Sequence, residues 1–254
     1  MYFNTTNTLG IPPTPIAITS ADWRTFLGRD SASMSTLPFP QYGDKIRATD
    51  PIYGEATFVL AYGVAGLQIG DAVVIGAGYT TTRALTTSRG IVGISMSANI
   101  DPTALSWFAV YGQVPGRLLA AGAALPLYTS ATAGSLTTTV VATQGVTAGF
   151  SLTALAATIG TKLVGTTNGS NLLAVRDIDG LYVGCGVTGT GIPAATTVTA
   201  IGYGGLMLGT QGPPAGFVQL SANCTANGNV TGTFAHGAAF ALLNLGEPVA
   251  SGLG

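Results

Sequence analysis

An all-β body with an extended N-terminal arm is the fold class this sequence predicts, and three observations predict it. Short β-branched and aromatic runs recur from Ile52 onward, Gly, Asp and Pro separate them, and helix signals are nearly absent beyond the arm. The body is expected to be a sandwich or barrel followed by a second β-rich region, and the arm carries at most one short helix. At 254 residues the chain is long enough for one large all-β domain or two of ordinary size. The division read from the sequence is an arm over 1–50, a β domain over 51–145 and a Gly/Thr-rich β region over 146–254. The last region is either a separate domain or an insertion, with 238–246 returning to the first sheet.

The arm differs in composition from everything after it. Pro12, Pro13, Pro15, Pro38, Pro40 and Pro51 punctuate it, and it holds Asp22, Arg24, Arg29, Asp30, Asp44, Lys45, Arg47 and Asp50. Thr19 or Ser20 can cap a short helix through Trp23, Phe26 and Leu27, with Asp22 near the positive end of its dipole and Gly28 as the stop. Trp23 and Phe26 then share one face, which packs either on the chain's own body or on a neighbouring subunit.

In the body the expected strands are Phe58–Tyr62, Ala72–Ile75, Ile91–Ile94, Trp107–Tyr111 and Leu125–Thr129. The segment from Gly66 to Asp71 reads as a tight turn into the second of them. Gly149 to Ala157 suits a short helix or a strand about equally. In the second region the expected strands are Leu172–Val175, Leu181–Val183, Thr196–Ile201, Phe217–Ser221 and Phe240–Asn244. Thr196 to Ile201 alternates hydroxyl and apolar residues, the pattern of a strand with a threonine-coated outer face.

Charge is scarce and unevenly placed. Asp, Glu, Lys and Arg make up 7% of the chain, the net charge is -1, and no such residue occurs from Gly180 to Gly246. The nine Lys and Arg are too few and too scattered for a phosphate-binding patch, so nucleic acid is not an expected partner. The longest apolar run, Leu118 to Tyr128, is short and broken by Gly122 and Pro126, so a membrane span is not expected either. The start shows neither a basic nor an apolar leader pattern, which makes the cytoplasm the expected place of folding. Cys185 and Cys224 are then expected to be free core thiols.

Motifs for chemistry are weak. Gly184, Gly186 and Gly189 match a dinucleotide fingerprint as a string, but Thr190-Gly191-Ile192-Pro193 follows where a helix must open. Asp177 and Asp179 are spaced to share a strand face as cation ligands, and are read instead as solvated turn residues before Gly180. His236, the only histidine, is read as a hydrogen-bonded structural residue and not a base. No cofactor, metal site or catalytic residue is expected, and the chain is not read as an enzyme.

Two segments carry a resemblance. Tyr53 to Thr139, with YGEATFVLAYGVAGLQIGDAVVI, RGIVGISMSANI, SWFAVYGQV and AALPLYTSATAGSL, resembles the small proteins that decorate or cement the heads of tailed bacteriophages. Gly189 to Ile201, followed by Val218 to Ser221, is similar to a recurrent element of phage virion proteins. The arm before residue 50 has no counterpart in either.

The resemblance implies an all-β homotrimer on the outside of the capsid. It would contact the major capsid protein, bridge capsomers and stabilise the shell. Tyr2, Phe3, Trp23 and Phe26 are the expected apolar anchors for capsid or inter-subunit contact. The alternatives are a tail or fibre component of the same virion and, further off, a bacterial surface adhesin.

Overall fold

The computed structural model describes residues 4–5, 42–50, 52–98, 100–142, 144–203 and 216–252. They form an all-β protein whose only helical turn among the described residues is a 3-10 turn at Ala77–Tyr79. The strands are β1 (Asn4–Thr5), β2 (Lys45–Asp50), β3 (Gly54–Tyr62), β4 (Ala72–Ile75), β5 (Thr81–Arg83), β6 (Gly90–Ser95), β7 (Leu105–Arg117), β8 (Leu125–Thr129), β9 (Leu136–Thr137), β10 (Gln144–Ser151), β11 (Thr158–Thr166), β12 (Leu172–Val175), β13 (Gly186–Thr188), β14 (Val198–Tyr203), β15 (Gly216–Leu220), β16 (Gly228–Ala235) and β17 (Phe240–Gly252).

Eleven strands make the first sheet, a half-barrel in the order β1-β2-β3-β7-β6-β17-β10-β8-β9, with β4 on β6 and β5 on β4. One face of it buries Phe58, Leu60, Trp107, Val114, Leu118, Leu127, Leu243 and Leu245. A smaller cluster of Val59, Ala61, Val73, Ile75, Phe108 and Val110 covers part of the other side. Successive strand residues point to opposite faces, so β4, with Ala72 and Val74 in one core and Val73 and Ile75 in the other, reads as an unbroken apolar run.

One extra residue keeps β7 in register with both cores. Thr57 pairs with Tyr111 while Phe58 pairs with Ala109, leaving Val110 as a bulge. The bulge changes parity, so that Trp107 and Ala109 before it and Val114 and Leu118 after it all reach the same core. Gly112 makes this possible: its φ is +92°, and a Cβ there would stand 2.3 Å from the Glu55 carbonyl oxygen.

The chain leaves the first sheet after β10 and returns to it as β17, which pairs with β10, β7 and β6. Between them β11 to β16 build a separate antiparallel sheet in the order β13-β16-β11-β12-β15-β14. Its core holds Val164, Leu173, Val175, Val187, Val218, Leu220 and Phe234. The division expected between residues 145 and 146 therefore falls inside β10, and the change of sheet comes after Ser151.

Four other expectations need correction or narrowing. The arm was expected to run to about residue 50, but Lys45–Asp50 is a strand of the body, paired with β3 along its whole length. Its burial alternates because Ala48 and Asp50 point inward. Leu181 to Val183 is not a strand. Gly180 and Gly184, with φ of +74° and +103°, turn the chain on both sides of it, and Leu181 and Tyr182 are buried side by side. Of the two readings open for Gly149 to Ala157, the strand holds for Gly149–Ser151, the end of β10, and the remainder turns, with Ala156 at φ +55°. The threonine coat is partial: Thr199 is exposed, but Thr196 is buried with its hydroxyl donating to the Pro193 carbonyl at 2.7 Å.

Beneath the tight turn after β3 lies a fully buried carboxylate that carries two ion pairs. Asp71, 0% exposed, receives Arg83 Nε at 2.9 Å from β5 and Arg117 Nη1 at 3.3 Å from the end of β7. The Gln68 amide donates to the same carboxylate at 3.0 Å. The adjoining backbone is bonded to β6 through Ser95 and to the loop after β8 through Gly134. Gly134 packs so closely that a Cβ there would meet the Asp71 carboxyl carbon at 2.6 Å.

Replacing Asp71 with Ala strands two guanidinium groups at a buried site, where breaking one side of an ion pair costs about 3–5 kcal/mol. Urea unfolding is expected to show a loss in that range for Asp71→Ala. Gly112→Ala must accept a positive φ and a backbone clash, and is expected to lose about 2–4 kcal/mol in the same measurement.

Candidate functional site

The second sheet meets the first at a buried polar cluster. Asp50 ends β2, and its Oδ1 accepts from the amides of Ile52 and Tyr53 at 2.7 and 3.1 Å, closing the turn that aims Tyr53 across the joint. Tyr53 donates its phenol hydrogen to the Gly180 carbonyl at 2.7 Å, a contact between positions 127 residues apart. From the second sheet, Tyr182 Oη lies 3.0 Å from His236 Nδ1 and accepts from the Gly237 amide at 3.2 Å. The phenol oxygen thus has both the Gly237 amide and the His236 ring nitrogen within hydrogen-bond distance. Phe240, where the chain re-enters the first sheet, packs against the Tyr182 ring at 5.3 Å between centroids.

Burial sets the protonation of this cluster. The His236 imidazole is pushed down to about 4 by loss of solvent, and the Cys185 thiol up to about 11 for the same reason. Both Tyr53 and Tyr182 are held well above the ordinary phenol range, again by burial. Asp50 is also raised, chiefly by burial and partly offset by the nearby amides of Ile52, Tyr53 and Gly180. Its Oδ2 has no hydrogen-bond partner among the described residues. Burial thus leaves a neutral imidazole beside Tyr182 and a protonated thiol in the core of the second sheet.

The remaining candidates fall into place around it. His236 is buried and hydrogen-bonded to Tyr182. Cys185 and Cys224 are both free and both in the second core. Asp177 pairs with Lys162 at 3.1 Å and accepts from the Asp179 amide at 2.8 Å, so the Asp-Ile-Asp segment is a turn. Asp179 is raised by partial burial and by the neighbouring Asp177 charge. Among the described residues no group of three His, Cys, Asp or Glu is arranged to hold a metal. Past Gly189 the chain makes a bridge back from Ile192 where a nucleotide-binding turn would open a helix. Tyr2, Phe3, Trp23 and Phe26, and the helix expected after Thr19, lie outside the described residues.

The outer surface of the second sheet is the other feature the sequence did not reveal. Strands β12 and β15 alternate cleanly, burying Leu173, Val175, Val218 and Leu220 and exposing Leu172, Ala174, Phe217 and Gln219. Leu163 of β11 joins them, and the face encloses an open groove of about 310 Å³. The exposed alternation is readable in each strand, but the order β11-β12-β15 that places these side chains together is not.

Comparison with known proteins matches no family model, no curated protein and no solved structure. What defines the chain is its own geometry: a half-barrel with a second, weakly charged sheet inserted before its last strand.

The joint makes stability depend on pH through His236. In the unfolded chain an imidazole takes up its proton below about 6.5, whereas in the fold it stays neutral down to about 4. Stability is therefore lost as pH falls across that window, by up to ~3 kcal/mol. Asp50 acts in the opposite sense, since its raised pKa relieves a buried charge on acidification. Urea unfolding at pH 7 and pH 4.5 is expected to show the loss, and His236→Gln is expected to flatten it.

Proposed function

We propose that this chain is a structural virion protein, a decoration or cement protein that binds the outside of a phage head as a homotrimer and bridges capsomers. The observation that carries this reading is the distribution of charge over the fold. The stretch from Gly180 to Gly246 has no Asp, Glu, Lys or Arg, and it supplies β13 to β16 and the first half of β17. A freely diffusing domain ordinarily spreads charge over its whole surface. A neutral, hydrogen-bonding sheet suits a protein that works by covering a broad surface of neighbours.

On this reading Tyr53 to Thr139, the longer of the two segments that resemble virion proteins, supplies β3 to β9 of the half-barrel, and the shorter one supplies parts of β14 and β15. On this reading each bound copy stabilises the mature shell by mass action, because it binds that state and not the precursor. The role is structural rather than catalytic, with the major capsid protein and other copies of the chain as partners.

The test is the mass of the purified chain in solution, measured with and without empty phage heads. A trimer that binds heads is expected, and an inert monomer overturns the reading. Spontaneous growth of tubes or long fibres would instead place the chain in the tail. Excising residues 1–30 is expected to reduce retention on heads, and unchanged occupancy would remove Tyr2, Phe3, Trp23 and Phe26 as anchors.

A further inference from the structure

In a chain with so few charges, each described cation that has a counter-group is informative, and so is the one that does not. Lys45 pairs with Glu247, Arg47 with Glu55, Arg83 and Arg117 with Asp71, and Lys162 with Asp177. Arg89 donates to Gln144 Oε1 and to two carbonyls. Arg176 alone has no ion pair or side-chain hydrogen bond among the described residues, and it lines the groove on the outer face of the second sheet.

The shape of that groove follows from its residues. Gly165 and Ala174, side by side on β11 and β12, make a floor with almost no side chain. Leu163 and Phe217, about half exposed, are apolar walls, while Asn229 on β16 and Arg176 at the end of β12 lie on opposite sides of that floor. A slot of about 310 Å³ is at the small end of ligand pockets and matches a single large side chain better than an extended cofactor.

We infer that this groove binds a peptide segment in which a carboxylate adjoins a large apolar side chain. The apolar group lies between Leu163 and Phe217 over Gly165, and the carboxylate pairs with Arg176, whose planar fork matches it. A phosphate group carries about two charges and is ordinarily met by several basic groups, whereas here there is one. A sugar needs hydrogen-bonding partners around its whole ring, and the lining offers only two polar side chains, Arg176 and Asn229. The inference stands on the groove itself and does not depend on the chain's being a shell protein.

The probes are N-acetyl-tryptophan, which keeps its carboxylate, and N-acetyl-tryptophanamide, which lacks it. They are titrated into the full chain while the backbone amide resonances of Gly165, Ala174 and Gly216 are followed by NMR. The acid is expected to shift these signals with about millimolar affinity and the amide to bind about two- to fivefold more weakly, the effect of one exposed charge pair. Arg176→Gln is expected to bring the acid down to the level of the amide. Gly165→Leu, where a Cβ meets only ordinary contacts at 3.5 and 3.6 Å, is expected to keep the fold and abolish binding of both. Absence of shifts with either probe, or equal affinity for the two, overturns the inference. So does a concentration-dependent mass that disappears in Arg176→Gln, which would assign the groove to a second copy of the chain.

Discussion

The first sheet depends on a buried ion cluster around Asp71. A carboxylate with no solvent access is tolerable only when its charge is met by opposite charge and by hydrogen-bond donors, and this one has two arginines and an amide. The arginines come from β5 and β7, and the flanking backbone bonds to β6 and to the loop at Gly134. The Asp71 side chain and the backbone beside it thus fix the relative positions of four parts of the half-barrel. Gly70, next to it, has no side chain because Phe240 already fills the space, its ring 2.3 Å from where a Cβ would stand. The same turn therefore sets the place at which the chain re-enters the sheet.

That re-entry explains why the joint is polar inside. An inserted sheet hangs from two chain crossings, Ser151 to Thr158 and Ala235 to Phe240, and apolar packing alone would leave its orientation loosely defined. Directional bonds define it: Tyr53 to Gly180 from the first sheet, and Tyr182 to His236 and Gly237 at the second crossing. Burial makes these bonds specific and also costly to disturb, since an unpartnered polar group there loses its solvation without replacement. The perturbed imidazole and thiol follow from this placement.

Charge is divided along the same line as structure. The second sheet holds Lys162, Arg176, Asp177 and Asp179 within or just after β11 and β12, and nothing charged beyond them. Two of the four neutralise each other. Its outward face presents Leu163, Leu172, Phe217 and threonines to the surroundings. Such a face gains from being covered, which is why a virion surface role and an acidic-apolar partner segment are both compatible proposals for it.

The sequence by itself determined the all-β class and most of the strands, because alternation and turn residues report how each residue sits on its own element. Ala72–Ile75 and Leu172–Val175 are strands over those same residues. It determined the turn at Gly66–Asp71. It missed β11 and β16, whose glycines and threonines dilute the apolar period, and it took Leu181–Val183 for a strand because buried turn residues are apolar too. Only the tertiary structure decided that Asp71 meets Arg83 and Arg117, that Tyr53 reaches Gly180, and that Arg176 stands over a groove. The physical reason is that local pattern encodes exposure and backbone state, whereas partners such as Lys45 and Glu247, separated by 202 positions, are chosen by how the sheets close.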